Sequence, residues 1–463
     1  MLFPCLDKLE DRSQKFLNES SGPEPAYGKV GKHNTLLYKS DEPIFLDYGG
    51  FLPSFEIVYE TWGKLNEDKS NLILIHTGLS ASSHAKSNSL NKNPGWWEGF
   101  IGPNKYLDTN KYFLVCTNVI GGCYGSTGPS SIDPSDGKRY ATRFPMLSVQ
   151  DMIRAQNRLI KEQFGVSKIY ASIGCSMGGM QSLAYASEFP NEVGKIISVS
   201  GCARSHPYSI AMRHCQRQVL MSDPNWNRGF YYDNKIPPHT GMKLAREIGT
   251  ITYRSGPEWE YRFGVERLDP SRQPALCPDF LIETYLDHQG EKFCLEYDPN
   301  SMLYISKTMD LFDLGLTNVS KLRKGRFQAE EKFNGKDIDP KELQFRPVES
   351  ACSIDPDTLP VSNVRRTRKL TPLESKVDLL EGMKHFSNKD ILVIGVESDI
   401  LFPAWQQREI VDLLRQGCKQ QGLGDGSNIK HVELSEEVSM YGHDTFLLSL
   451  EHIGEPVKHF LEG

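Results

Sequence analysis

Much is missing from this chain of 463 residues, and each absence narrows what it can be. No apolar run approaches the roughly 20 residues needed to cross a bilayer, and the mean hydropathy of −0.45 suits a water-soluble globular protein. Positive charge is not in excess: 53 Lys and Arg stand against 59 Asp and Glu, for a net charge of −6. That balance argues against nucleic acid as the main partner. Cysteine is sparse and scattered, ten residues without a Cys-x-x-Cys pair, which fits reduced, buried thiols in a reducing compartment. The opening Met1-Leu2-Phe3-Pro4-Cys5-Leu6-Asp7 carries no secretory pattern. Acids at Asp7, Glu10 and Asp11 disfavour a mitochondrial presequence. A cytoplasmic location, no membrane partner and no bound metal are therefore expected. Internal repeats are absent too. Residues 1–40 form a polar extension, and residues 316–372 are highly charged and poor in large apolar groups. A segment of that composition buries little surface and is expected to be a mobile excursion.

What is present centres on Gly174-Cys175-Ser176-Met177-Gly178. An apolar run over residues 168–173 precedes it and reads as a strand. Residues 180–186 follow as a helix. Strand, Gly-x-Ser-x-Gly, helix is the nucleophile elbow, a sharp turn that lifts a serine hydroxyl above a parallel sheet. The elbow demands an acid and then a histidine later in the chain. Residues 390–396 read as a buried parallel strand, and Glu397-Ser398-Asp399 follow at its carboxyl end. Asp399 is the expected orienting acid, with Glu397 in reserve. After the strand at 429–434 comes Tyr441-Gly442-His443-Asp444, and His443 is the expected general base. His431 falls inside a strand, His452 and His459 in a C-terminal helix, and His385 before the acid's strand, so none of them competes. Cys175 is expected to point into the fold as packing.

Acyl transfer through Ser176 needs two donors aimed at the developing oxyanion. The elbow supplies the N–H of Met177. The second is expected from the loop His76-Thr77-Gly78-Leu79-Ser80-Ala81-Ser82-Ser83-His84, at Leu79 or Ser80.

Around these motifs the chain reads as an α/β-hydrolase fold, a mostly parallel sheet with helices on both faces. Residues 41–205 and 387–463 form the core. Residues 206–386 are an insertion rich in aromatics, among them Trp226, Tyr231, Tyr253 and Trp259, and read as a helical lid. Ser148-Val149-Gln150-Asp151 is a capping box that opens a helix. Phe55, Ile57 and Tyr59 alternate with Glu56 and Glu60 in a strand of an opening antiparallel pair.

The stretch Gly174 to Gln181 resembles the Gly-x-Ser-Met-Gly-Gly-Met-Gln signature of the homoserine O-acetyltransferase family. Asn118-Val119-Ile120-Gly121-Gly122-Cys123-Tyr124-Gly125-Ser126-Thr127-Gly128-Pro129 is similar to a second stretch of that family. Arg217-Gln218, Asp223-Pro224-x-Trp226 and Gly442-His443-Asp444 also match. The likeness covers most of residues 45–315 and 388–462. It implies transfer of an acyl group from acyl-coenzyme A to an amino-acid hydroxyl, with no permanently bound cofactor. It also implies that Arg217 holds the acceptor's carboxylate, that Asp444 pairs with its ammonium, and that the protein is a homodimer. The loop Gly78-Leu79-Ser80-Ala81 departs from the homoserine pattern. With Gly201-Cys202-Ala203-Arg204-Ser205-His206-Pro207, it resembles the branch that acylates serine. The expected substrates are thus L-serine with succinyl- or acetyl-coenzyme A, in cysteine biosynthesis, with succinyl slightly preferred. Succinyl carries a distal carboxylate. The succinyl-using homoserine enzymes place an arginine two residues after the catalytic Asp, where this chain has Leu401, so Arg204 or Arg213 would have to supply the charge. The alternatives are a homoserine O-acetyltransferase of methionine biosynthesis, an esterase, and a non-catalytic binding protein.

Overall fold

A computed structural model describes residues 35–233, 236–276, 278–294, 296–334 and 370–463. The sheet has eight strands: β1 (Leu36–Ser40), β2 (Phe55–Trp62), β3 (Leu72–His76), β4 (Phe113–Thr117), β5 (Ile169–Cys175), β6 (Val193–Val199), β7 (Asp390–Val396) and β8 (Ile429–Leu434). Their spatial order is β1-β2-β4-β3-β5-β6-β7-β8. β1 and β2 pair antiparallel, as do β2 and β4, and the remaining pairs are parallel. The central strands are apolar on both faces, Leu-Ile-Leu-Ile in β3 and Phe-Leu-Val-Cys in β4, because helices cover both sides of a parallel sheet. The sequence is therefore borne out in its central expectation, an α/β-hydrolase fold.

One face carries α1 (Val149–Phe164), α2 (Met177–Glu188), α9 (Pro372–Met383) and α10 (Ala404–Gln420), packed through Met152, Ile160, Leu183, Leu379 and Ile410. The other carries α11 (Leu450–Glu462) with Trp97 and Phe100, packed through Ile453, Val457 and Leu461. The capping box at the start of α1 is present: Asp151 N–H donates to Ser148 Oγ (2.9 Å) and Ser148 N–H donates to Asp151 Oδ2 (2.8 Å).

Between β6 and β7 the chain leaves the sheet through α3 (Pro207–Met221), α4 (His239–Tyr253), α5 (Gly256–Phe263), α6 (Leu281–Phe293) and α7 (Pro299–Asp310). These helices have a small core of their own, with Leu220, Met242, Ala245, Phe293 and Met302 around Cys123. No helix among the described residues is long and apolar enough to cross a membrane.

Two composition-based expectations meet a different structure. The charged segment expected over 316–372 opens with a helix, α8 (Leu316–Asn334). It is fastened to the core: Arg326 donates to buried Asp47 (3.0 Å), and Phe333 packs on Phe45 and Phe51. Residues 335–369 lie outside the described residues. Within the polar extension expected over 1–40, Leu36–Ser40 forms the edge strand β1; residues 1–34 also lie outside the described residues.

Candidate active site

Ser176 joins β5 to α2 with φ 60° and ψ −124°, a conformation that L-residues rarely adopt. The turn is possible only because its flanking glycines lack Cβ atoms. A Cβ on Gly174 would lie 2.3 Å from the Gly178 carbonyl carbon, and one on Gly178 would lie 2.4 Å from the His76 carbonyl oxygen. Both obstacles are backbone and cannot move aside. Gly178→Ala is therefore expected to destabilise the protein by about 1–3 kcal/mol, the usual cost of overpacking. Chemical denaturation against the unmutated chain measures it.

The Ser176 N–H is used by the Val199 carbonyl (2.9 Å). Met177, the first residue of α2, has no intrahelical acceptor for its own N–H, which leaves it available to an anion. The loop after β3 passes beside the nucleophile: a Cβ on Gly78 would sit 4.0 Å from the Ser176 Cβ. The Thr77 carbonyl of that loop accepts from Gln181 of α2 (2.9 Å). His76 is not a catalytic candidate. Its ring is wholly buried against Ser172 Oγ (2.7 Å), and burial pushes its pKa down to about 3, so it stays neutral.

Asp399 and His443 meet at the carboxyl ends of β7 and β8. His443 Nδ1 lies 2.6 Å from Asp399 Oδ2, and both side chains are buried. The other Asp399 oxygen accepts from the Leu401 and Phe402 N–H groups (2.9 and 2.8 Å). Phe402 stacks on the imidazole (centroids 5.1 Å apart, planes 19°), Phe446 meets it edge-on, and Tyr253 of α4 lies 6.4 Å from it. His443 Nε2 is buried with no hydrogen-bond partner among the described residues. An orphaned acceptor of this kind is what a general base presents to an incoming proton. Ser176, Asp399 and His443 thus sit at the same end of the adjacent parallel strands β5 to β8, the edge at which α/β sheets place their sites. Glu397, the reserve acid, is exposed and accepts from the Glu436 N–H (3.3 Å). Cys175, the last residue of β5, is buried in the core, and burial raises its thiol pKa, as a packing role requires.

Arg217 lies buried on α3 beside Arg213. Arg217 Nη2 pairs with Asp310 Oδ2 (2.5 Å), and Arg213 Nε pairs with Asp310 Oδ1 (2.6 Å). Two buried guanidiniums thus share one carboxylate, and Arg213 Nη1 has no hydrogen-bond partner among the described residues. Ser209, a turn before Arg213 on α3, donates to the Leu401 carbonyl (2.9 Å), which sets this helix against the loop that holds Asp399. Asp310 was not visible as a site residue in the sequence, because nothing local marks the end of α7. Arg204 is held elsewhere, by ion pairs with Asp313 and Asp378 (2.8 Å each) and by Ser375. Asp444 pairs with Arg254 (3.2 Å), which also holds Glu258 (2.8 Å); burial raises the Asp444 pKa.

Comparison with known proteins agrees with this architecture. The alpha/beta hydrolase fold family matches residues 71–448. A serine O-succinyltransferase of Emericella nidulans is 59% identical over 99% of this chain and 87% of its own length. One of Schizosaccharomyces pombe is 50% identical over 99% of this chain and 94% of its own. Among solved structures, a homoserine O-acetyltransferase of Bacillus anthracis superposes with a TM-score of 0.70 at 23% identity, over 93% of this chain and 98% of that one.

Proposed function

This chain belongs to the alpha/beta hydrolase family and is an acyltransferase akin to the serine O-succinyltransferases, and from that premise we propose that it moves a succinyl group from succinyl-coenzyme A to the hydroxyl of L-serine. The observation that carries the chemistry is Ser176, held on a strained elbow at the same sheet edge as the buried His443–Asp399 pair.

In the first half-reaction Ser176 Oγ attacks the thioester carbonyl while His443 Nε2 takes its proton. The tetrahedral oxyanion rests on the Met177 N–H and on the Leu79 or Ser80 N–H. The carbon–sulfur bond then breaks, and the thiol leaves with the proton from His443. In the second half-reaction the serine hydroxyl gives its proton to His443 and attacks the acyl-enzyme carbonyl. The bond to Ser176 Oγ breaks, and that oxygen recovers the proton. Arg217 would grip the acceptor's carboxylate and Asp444 its ammonium, as complementary charges require. The product, an O-acylated serine, carries a good leaving group on Cβ, as cysteine synthesis needs.

A distal carboxylate on the donor has a candidate partner on α3, where two buried guanidiniums share one carboxylate and only Arg217 is given to the acceptor. Arg213 presents its free Nη1 for that purpose, whereas Arg204 is already paired with two carboxylates of its own, Asp313 and Asp378. Arg213→Leu is expected to lower kcat/KM for succinyl-coenzyme A by about 10- to 100-fold, the worth of a charged hydrogen bond. Acetyl-coenzyme A, with no distal carboxylate, should be affected far less. Equal losses on both donors contradict the assignment.

The decisive test of substrate is a competition of serine with homoserine, using both donors and analysing the products. O-succinylserine as the main product supports the reading. O-acetylhomoserine instead assigns the methionine-pathway alternative, and free acid alone assigns an esterase.

A further inference from the structure

The loop beside the nucleophile is built from small residues, Gly78, Ser80 and Ala81, whose peptides could easily turn over. Two tyrosines bond to its carbonyls. Tyr297, which lies between α6 and α7 in the lid, donates its hydroxyl to the Leu79 carbonyl (2.8 Å). Tyr124, in the loop after β4, donates to the Ser80 carbonyl (3.0 Å). The two rings pack edge to face at 5.7 Å, and Tyr297 also stacks on Phe293 at 5.3 Å with the planes 12° apart. Tyr297 is almost wholly buried, and burial keeps both phenols protonated and able to donate. Its bond crosses 218 residues of sequence.

In a trans peptide the C=O and N–H point in opposite directions. Fixing the Leu79 carbonyl on Tyr297 therefore fixes the Ser80 N–H on the opposite side, and fixing the Ser80 carbonyl on Tyr124 does the same for Ala81. We propose that Tyr297 and Tyr124 are positioning residues that lock the oxyanion loop so that the Ser80 N–H, and no carbonyl, faces the acyl oxygen. The proposal rests on the reading of this loop as part of an acyl-transfer site. It also links the lid to catalysis: one of the lid residues that seat on the core sets the donor, so an unseated lid leaves the oxyanion without half its support.

The test uses the full chain with Tyr297→Phe and Tyr124→Phe, which keep both rings and remove only the hydroxyls. Two rates are read: phosphonylation of Ser176 by a fluorophosphonate, which needs the oxyanion donors but no acceptor, and kcat for acyl transfer to serine. For Tyr297→Phe both are expected to fall by about 10- to 100-fold, somewhat less than the loss of a whole oxyanion donor. KM for acyl-coenzyme A should change by less than about twofold, since the interaction acts in the transition state. Circular dichroism checks that each variant is folded, and Tyr124→Phe carries the test if Tyr297→Phe is not. Unchanged phosphonylation in a folded variant overturns the proposal, as does a rise in KM at constant kcat. If the unmutated chain reacts with the fluorophosphonate but never acylates serine, the acceptor reading fails, and phosphonylation rates still judge the tyrosines.

Discussion

Replacing Ser176 by alanine is expected to lower acyl transfer by about a millionfold, to the level left when a serine nucleophile is removed from a triad enzyme. The fold should survive. Alanine keeps the Cβ that serine already carries at φ 60°, so the strain of the elbow is unchanged. The glycine contacts on either side and the Ser176 N–H bond to Val199 involve backbone alone. Only Oγ is lost, and no other described hydroxyl occupies that position on the turn. Thiol release from acyl-coenzyme A, followed with and without serine, gives the rate, and thermal unfolding checks the fold. Substantial transfer by the folded variant would remove Ser176 from the mechanism.

Asp399→Asn should cost about 10⁴-fold in kcat, the loss known for the equivalent change in serine proteases. The local hydrogen bonds explain why. Asp399 Oδ1 accepts from two backbone N–H groups, at Leu401 and Phe402. An asparagine must give its carbonyl oxygen to those donors, which turns its NH₂ toward His443. The amide then donates to Nδ1, and the imidazole proton is driven to Nε2. A histidine protonated there cannot accept the proton of Ser176 or of the acceptor serine. The geometry is kept while the tautomer is reversed, so stability should hardly change. A loss smaller than about tenfold would mean that Asp399 does not orient the base.

The elbow and its partners were legible because the elbow is local. Glycine, serine and glycine must stand two positions apart for the turn to close, and its topology dictates the order of acid and base. The apolar parallel strands are equally local signals, which is why β5 and β7 stand where expected. The electrostatic surroundings were not legible. The Asp310 that binds Arg213 and Arg217 lies 97 and 93 residues away, and Tyr297 reaches Leu79 across 218. Only folding brings these partners together. At α8, the described part of the segment, charge density suggested a mobile excursion. Arg326 and Arg323 instead reach acids buried in the core, Asp47 and Glu188, so these charges fasten the helix rather than free it.

The central claim, that an acyl group rests on Ser176 before it reaches an amino acid, is most directly tested by mass spectrometry of the intact protein mixed with succinyl-coenzyme A in the absence of serine. The account predicts a mass increase of one succinyl group, mapped by digestion to the peptide containing Ser176 and discharged when serine is added. Formation of O-succinylserine with no such increment at any time would contradict it, since transfer would then pass directly from donor to acceptor.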